Sequence, residues 1–498
     1  MEGTTVKTMK TDVVVIACGP SGLAAAIAAA ENGQSVIALE KAMNTGGAAN
    51  MGMGPLGLNT TVQREELSSV TVEKAFEMFM TYTHWRVDAN LVKQYFEKSG
   101  DTIAWLQDMG VEFYKASRYF PGSEATWHIV KPESGKPGPR AAATMIKRMT
   151  ERAVALGVQI LFETAGDHLV KQDGKITGVI AKTKTGEEIQ INCSAAIICT
   201  GGFGFNEKLV REKTGYIYDK DFFGFRIPGL VGDGMRMAQE VGGGTTDIQM
   251  ELAISLPGDH LTESVRAAFN QPNLLVNYQG ERFYNEELFE NCTFAANAVN
   301  IQKGRCGIMI LDENIKRQYV RHGVDVQSMV LNRSNCEGFD EDLENAIENG
   351  NPYVFKADTL EELAEKAGIE VKTFLKTVET YNYYCDTHDE QFGKRADYLK
   401  PIVRAPFYAA KFFPGAYGTL GGIKINHYTE VLTPDFDPIP GLYAAGTDTC
   451  TIYGDSYMFL LPGNTMGYAL NTGRMAGENA AAYVKSINRK TSELSFCR

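Results

Sequence analysis

The sequence predicts an α/β fold in which a discontinuous parallel-sheet domain is interrupted by an inserted α+β domain. Three observations carry this. Asp12 to Ala17 (DVVVIA) holds a continuous β-branched run, the pattern of a strand buried on both faces. A turn of small residues, an Ala-rich helix and a second apolar strand follow it, making a βαβ unit of about 30 residues. This strand–turn grammar is absent between residues 250 and 400 and returns after Pro406. The sheet domain is therefore expected at 8–248 and 405–490, the insertion at 249–404, and a polar, frayed tail at 491–498.

The elements follow in order. The turn Cys18-Gly-Pro-Ser-Gly leads into a helix from about Leu23, which Asn32-Gly33 stops. Ser35 to Leu39 is the second strand, ending at Glu40. Lys175 to Asn192 alternates apolar and polar residues around Thr185-Gly186, which predicts a hairpin. The strand Ala195 to Cys199 runs into the turn Thr200-Gly-Gly-Phe. Residues 250–400 carry helix-forming charge patterns and no Gly-rich loop. The closing segment reads Gly421-Gly-Ile-Lys-Ile-Asn, then Pro440-Gly-Leu-Tyr-Ala-Ala-Gly446, then an apolar helix from Asn464.

Composition narrows the chemistry. The 498 residues carry 49 basic and 61 acidic groups, a net charge of −12, with no Lys/Arg stripe, so nucleic acid is a poor partner. The nine cysteines form no C-x-x-C pair, which argues against an iron–sulfur or zinc site and for a reducing compartment. The N-terminus has no signal-peptide pattern, and no apolar run reaches the roughly 18 residues needed to span a bilayer. A cytoplasmic protein is expected. His128, His168, His260 and His427 lack metal spacing and are read as structural.

The strongest chemical signal is the first turn. A helix N-terminus presents unpaired N–H groups and partial positive charge, and small residues let a pyrophosphate approach it. Gly19 and Gly22 hold the second and third positions of the dinucleotide fingerprint, with Pro20 and Ser21 between them. Ala17 replaces the first glycine, and a slightly different turn is expected there. Glu40 lies 18 residues past Gly22, where an acid accepts hydrogen bonds from a ribose diol.

Several further runs share a pattern: Glu40-Lys41 with Gly46-Gly47-Ala48-Ala49, Thr200-Gly-Gly-Phe203, Gly232-Asp233-Gly234, Gly280-Glu-Arg-Phe-Tyr-Asn-Glu286, and Gly441-Leu-Tyr-Ala-Ala-Gly446. In this order they resemble the fumarate reductase and 3-ketosteroid dehydrogenase flavoprotein family. The resemblance implies FAD in a Rossmann-like domain and a capping domain over the isoalloxazine. Members with covalent FAD carry a histidine near the Gly46-Gly47 turn. No histidine precedes His84, so noncovalent FAD is expected. Carried over by position, Ala17, Gly19, Pro20, Ser21, Gly22, Glu40, Lys41, Gly46, Gly47, Ala48 and Gly166 line the ADP and ribityl parts. Thr200, Gly201, Gly202 and Asp233 touch the cofactor, as do Gly446, Thr447 and Asp448. Gly463, Asn464 and Thr465 lie near the flavin ring.

The resemblance also speaks to substrate. Fumarate reductases pair a dicarboxylate with arginine forks. Their proton-donating arginine corresponds to Glu290, ten residues past Gly280, and their second arginine falls in Gly454-Asp-Ser-Tyr457, where there is none before Arg474. Their His-His is Tyr417-Gly418. A buried dianion without guanidinium partners costs several kcal/mol, so a neutral, hydrophobic substrate is expected. Tyr457 resembles the ketosteroid dehydrogenase tyrosine that hydrogen-bonds the substrate ketone, with the Gly463 backbone beside it. Tyr119 takes a proton-relay role, and Phe120, Met458, Phe459 and Leu460 wall a flat slot. The catalytic candidates are thus Tyr119, Tyr457, Glu290, Tyr417 and Gly463. Each also has a plain structural reading, as a half-buried tyrosine, a solvated helix charge or a turn glycine.

The implied reaction is hydride transfer from flavin N5 to a C=C bond, with protonation by tyrosine. Steroid enones and plant polyphenols such as isoflavonoids both fit. The alternatives are a ketosteroid-type dehydrogenase running the reverse reaction and an electron-carrier flavoprotein. No second dinucleotide fingerprint specifies the electron donor.

Overall fold

A computed structural model describes residues 7–327 and 335–496. They form two compact units, one of residues up to 214 with 226–250 and 418 onward, the other of 215–225 and 251–417.

The first unit is built on a six-stranded sheet in the order Glu430–Leu432, Pro438–Ala444, Ala195–Ile198, Val13–Ile16, Val36–Leu39, Gln159–Leu161. All pairs are parallel except Glu430–Leu432 against Pro438–Ala444. The central strands Val13–Ile16, Val36–Leu39 and Ala195–Ile198 are buried at every position, as continuous apolar runs require. A second sheet, in the order Lys7–Lys10, Glu188–Asn192, Lys175–Thr183, Thr164–Gln172, contains the expected hairpin across Thr185-Gly186. The helix Pro20–Glu31 begins earlier than its alanine run suggests, with Gly19 as N-cap and Pro20 in its first turn. It packs on the long helix Asn464–Phe496. A Cβ on Gly473 would lie 2.2 Å from the Ser21 carbonyl oxygen, and one on Gly477 2.3 Å from that of Ala25, so only glycine permits this approach.

The second unit is an antiparallel sheet with helices. Its strands run in the order Gln249–Ser255, Phe407–Gly422, Gly307–Asp312, Leu274–Val276, with Val354–Ala357 also paired to Phe407–Gly422. Phe269, Phe339, Phe374 and Tyr381 are fully buried in its core. The Gly280–Glu286 run is a fold device. Arg282 reaches Glu286 at 2.7 Å and Asp389 at 2.9 Å, and all three side chains are almost wholly buried. Removing one partner of such a cluster costs about 3–5 kcal/mol.

Three placements differ from the sequence expectation. The second unit extends past the expected return at 405 to Tyr417, because Phe407–Phe412 is laddered to Gly307–Asp312. Residues 215–225 also belong to it: Tyr216 stacks on Phe222 and Arg305 pairs with Asp221 at 2.8 Å. The tail expected to fray is helical through Phe496, and its last two residues lie outside the described ones. Among the described residues no helix is long and apolar enough to cross a membrane, and no cluster of side chains could hold a metal.

Ala17 has left-handed backbone, with φ = 79°, a region that glycine favours. A Cβ on Gly22 would lie 1.9 Å from the Ala17 carbonyl oxygen, which fixes that glycine. Left-handed backbone costs a Cβ-bearing residue roughly 1–2 kcal/mol, partly offset by unfolded-state entropy. Ala17→Gly is therefore expected to stabilise the protein by about 1 kcal/mol in urea unfolding, whereas Gly22→Ala should prevent folding.

His128 is buried on the strand Trp127–Val130. Its Nδ1 lies 2.9 Å from the Thr126 carbonyl oxygen and its Nε2 2.7 Å from the Thr60 hydroxyl. Nδ1 donates to the carbonyl, and burial keeps the ring neutral at pH 7, with Nε2 accepting from the Thr60 hydroxyl. Burial pushes its pKa down to about 4. The unfolded chain then binds the proton that the native state refuses, so stability present above about pH 6.5 is lost as pH falls towards 4. Denaturant titrations across that window should show wild type losing about 3 kcal/mol more than His128→Gln.

Candidate active site

The carboxyl edge of the parallel sheet gathers the turns that the sequence singled out. After Val13–Ile16 comes the turn to Gly19, where the space a Cβ would fill is empty. Ser21 and Gly22, at the helix start, have N–H groups without intrahelical acceptors, and no side chain caps them. Gly46, at φ = 105°, and Gly47, at φ = 49°, turn the chain into the short helix Gly47–Met51, which carries Ala48. The Gly46 N–H donates to the Cys18 carbonyl at 2.8 Å, which brings this turn against the first.

Glu40 is buried, and both its oxygens are engaged by the backbone. One accepts from the Cys18 N–H at 2.9 Å and the other from the Ala42 N–H at 2.8 Å. It ties the phosphate turn to the end of the second strand, and each oxygen retains a lone pair for a diol. Lys41 and Asp233 pair with each other at 2.8 Å, both about one-third exposed. Gly166 sits on a strand, and a Cβ there would lie 2.6 Å from Ile16 Cγ2, so it serves the packing of the first strand.

Asp448 is a clamp. Its carboxylate is fully buried and accepts from the N–H groups of Thr200, Gly201 (3.0 Å) and Gly202 (3.2 Å), and from the Thr200 hydroxyl at 3.0 Å. Burial raises its pKa against the lowering effect of these donors. The Thr200 hydroxyl accepts in turn from the Gly234 N–H at 3.0 Å, joining the helix Asp233–Glu240 to the same knot. Gly201 and Gly202 have φ of 88° and 77°, and a Cβ on Gly202 would lie 2.3 Å from the Thr419 hydroxyl and 3.3 Å from Thr447 Cγ2. Gly446, at φ = 72°, lies against Ser21, whose hydroxyl would be 2.6 Å from an added Cβ.

At the start of the last helix, Gly463 has φ = 82° and its carbonyl accepts from Leu56 N–H at 2.7 Å. The Thr465 N–H donates to the Tyr457 hydroxyl at 3.1 Å, so the helix terminus expected to face a flavin ring is partly capped from within. Asn464 is fully buried. Its Oδ1 accepts from the hydroxyls of Tyr95 (3.0 Å) and Tyr453 (2.9 Å), and its Nδ2 finds no partner. Sequence reasoning missed Tyr95, which lies on a helix face that read as plain core, and it weighed Tyr453 evenly between a functional and a structural role.

Tyr119, Tyr457 and Gly463 come together around one aromatic cluster. Phe459 packs edge-on against Tyr119 at 4.6 Å and Tyr457 at 5.4 Å. Trp127 lies 5.7 Å from Tyr119, and its Cδ1 would be 2.7 Å from a Cβ on Gly463. Glu290 and Tyr417 belong to the second unit, Glu290 at the end of the short helix Glu286–Glu290 and Tyr417 stacked on Phe225.

An open glycine cradle, unpaired N–H groups at a helix start, a buried acid after the second strand and an orphaned amide at the last helix fit a dinucleotide flavin. Residues 12–465 match the family model of the FAD binding domain. The chain belongs to this family. It is an FAD-dependent oxidoreductase. It is 32% identical to a vinyl phenol reductase of Lactiplantibacillus plantarum over 95% of this chain and 96% of that protein. It is 30% identical to a urocanate reductase of Eggerthella lenta over 95% of this chain and 75% of that protein. Among solved structures, the open conformation of a flavocytochrome c3 fumarate reductase superposes with a TM-score of 0.69 at 27% identity, covering 97% of this chain and 79% of that one.

Removing the Asp448 carboxylate leaves its buried donors unsatisfied. Asp448→Ala is expected to cost roughly 2–4 kcal/mol of stability. Bound flavin per chain, read from the visible absorbance after gel filtration, should fall as well, while wild type retains it.

Proposed function

We propose that this oxidoreductase reduces a C=C bond of a neutral, hydrophobic carbonyl or phenol-type substrate. The observation that carries the reading is the convergence of Tyr119, Tyr457 and Gly463 on one aromatic-walled cluster. Bound FAD supplies the hydride. Ala17, Gly19, Pro20, Ser21, Gly22 and Glu40 hold its ADP half, and Gly463, Asn464 and Thr465 lie at its ring. Noncovalent attachment is part of the proposal.

Tyr119 delivers the proton to the carbon next to the one that receives hydride. A phenol with an ordinary pKa near 10 is a competent donor at neutral pH. The Thr465 N–H holds the Tyr457 hydroxyl in place, and Tyr457 hydrogen-bonds a substrate oxygen. Phe459 and Trp127 wall the slot and keep water from competing. Arg86 reaches the loop Gly454–Tyr457, but it pairs with Asp455 at 2.9 Å and both side chains are more than half exposed. That arrangement supports an uncharged substrate over a dicarboxylate. The eight described cysteines form no disulfide, which supports a cytoplasmic location.

The test is anaerobic. The reduced holoenzyme should be reoxidised by 4-vinylphenol or a cyclic enone and not by fumarate, followed by flavin absorbance. Tyr119→Phe should slow that reoxidation by about 10²–10⁴-fold with the flavin spectrum unchanged. Turnover only of a saturated ketone with an artificial acceptor would reverse the direction. Fast reoxidation by fumarate alone would overturn the substrate class.

A further inference from the structure

The helix Val72–Tyr82 buries Ala75, Phe79 and Met80 and ends on Tyr82. At its exit the Thr83 hydroxyl donates back to the Phe79 carbonyl at 3.0 Å, and His84 and Trp85 follow in left-handed backbone, with φ of 52° and 57°. Residues with a Cβ adopt that region at a cost, which marks a turn whose course is set by its surroundings.

Three side chains of this segment reach one loop. Phe79 packs against Tyr453 with ring centroids 5.8 Å apart. Tyr82 places its hydroxyl 3.0 Å from both the Ser456 hydroxyl and the Tyr457 carbonyl. Arg86 pairs with Asp455 at 2.9 Å. The loop has little to hold it from within. Residues 451–463 form no strand or helix, and the bonds Ser456 N–H to Tyr453, Phe459 N–H to Tyr457 and Leu461 N–H to Met458 are long, at 3.4, 3.2 and 3.5 Å. The Glu124 N–H anchors its far half through the Leu460 carbonyl at 2.9 Å. Tyr82 anchors the half that carries Tyr457. The Arg86–Asp455 pair is more than half exposed on both sides, and such pairs contribute little.

A phenol has one proton to give. With that proton on the Tyr457 carbonyl, the Ser456 hydroxyl donates to the Tyr82 oxygen. Burial raises the Tyr82 pKa, so the hydroxyl keeps its proton. Tyr457 is thereby held at two ends, its hydroxyl by the Thr465 N–H and its carbonyl by Tyr82. A side chain pinned only at its tip still swings when its backbone moves, and a displacement of about 1 Å at a reacting group costs on the order of 10²-fold in rate.

We propose that Tyr82 is a positioning residue: by binding the Ser456 hydroxyl and the Tyr457 carbonyl it fixes the backbone end of the tyrosine that takes the substrate oxygen. This rests on the role proposed for Tyr457, through which Tyr82 acts.

Tyr82→Phe keeps the ring and removes only the hydroxyl. The variant holoenzyme, reduced anaerobically and mixed with saturating 4-vinylphenol or cyclic enone, should reoxidise about 10–100-fold more slowly than wild type, with a much smaller change in the half-saturating concentration. In a Tyr457→Phe background the same substitution should slow reoxidation by less than about twofold, because residues that act through one another are not additive. Amide hydrogen exchange of the oxidised holoenzyme, without substrate, should be faster across residues 453–459 in Tyr82→Phe. Flavin absorbance and thermal melts identify folded variants. The inference falls if folded Tyr82→Phe reoxidises like wild type, if its loss is undiminished beside Tyr457→Phe, or if exchange of the loop is unchanged. The proposed reduction fails separately. If no neutral substrate reoxidises wild type, that reading is lost, and the exchange comparison still decides whether Tyr82 holds the loop.

Discussion

Two buried carboxylates organise the cofactor edge of this protein, and the more demanding of them is Asp448. A carboxylate wholly out of water must be surrounded by donors or give up its charge. Here the donors are the backbone N–H groups of the turn that follows the strand Ala195–Ile198. That strand is the parallel neighbour of Pro438–Ala444, which leads to Asp448 itself. The clamp therefore joins distant parts of the chain at adjacent strand ends. Glu40 does the same one strand over, holding the Cys18 N–H after the central strand. The turn of left-handed Gly201 and Gly202 is held by the Asp448 side chain, and the Cys18 turn by that of Glu40.

The same logic governs the last helix. It is seated close against Pro20–Glu31 because Gly473 and Gly477 carry no Cβ, and this seat sets the position of Gly463, Asn464 and Thr465. Two tyrosine hydroxyls polarise the Asn464 amide, a third accepts from Thr465, and aromatic edges fill the space between Tyr457 and Tyr119. The proposed proton donor and carbonyl ligand thus stand on a rigid aromatic frame. A positioned hydroxyl contributes to catalysis only when its geometry is fixed before substrate arrives.

The second unit is fixed by its own ionic core. The Gly280–Glu286 run marks the family in the sequence, yet its arginine and acid are turned into a buried network with Asp389. By contrast, Arg266 has no acidic partner among the described residues, and it lines a cavity beside an exposed aromatic pair. One arginine satisfied by carboxylates and another supported only by carbonyls have different chemical capacities, although their residue type is identical.

The sequence by itself determined the elements whose causes are local. Continuous apolar runs specified the central parallel strands, the small-residue turn specified the nucleotide helix, and the ordered glycine motifs specified the flavin family. Local pattern did not reveal the left-handed backbone of Ala17, whose carbonyl lies where a Cβ on Gly22 would sit. Nor did it reveal that Asp448 faces inward, that Tyr95 and Tyr453 converge on Asn464, or that residues 215–225 and 407–417 belong to the second unit. These depend on contacts between residues far apart in the chain, many of them more than a hundred positions apart. Such pairings follow from strand order and helix packing, and only the tertiary structure decided them.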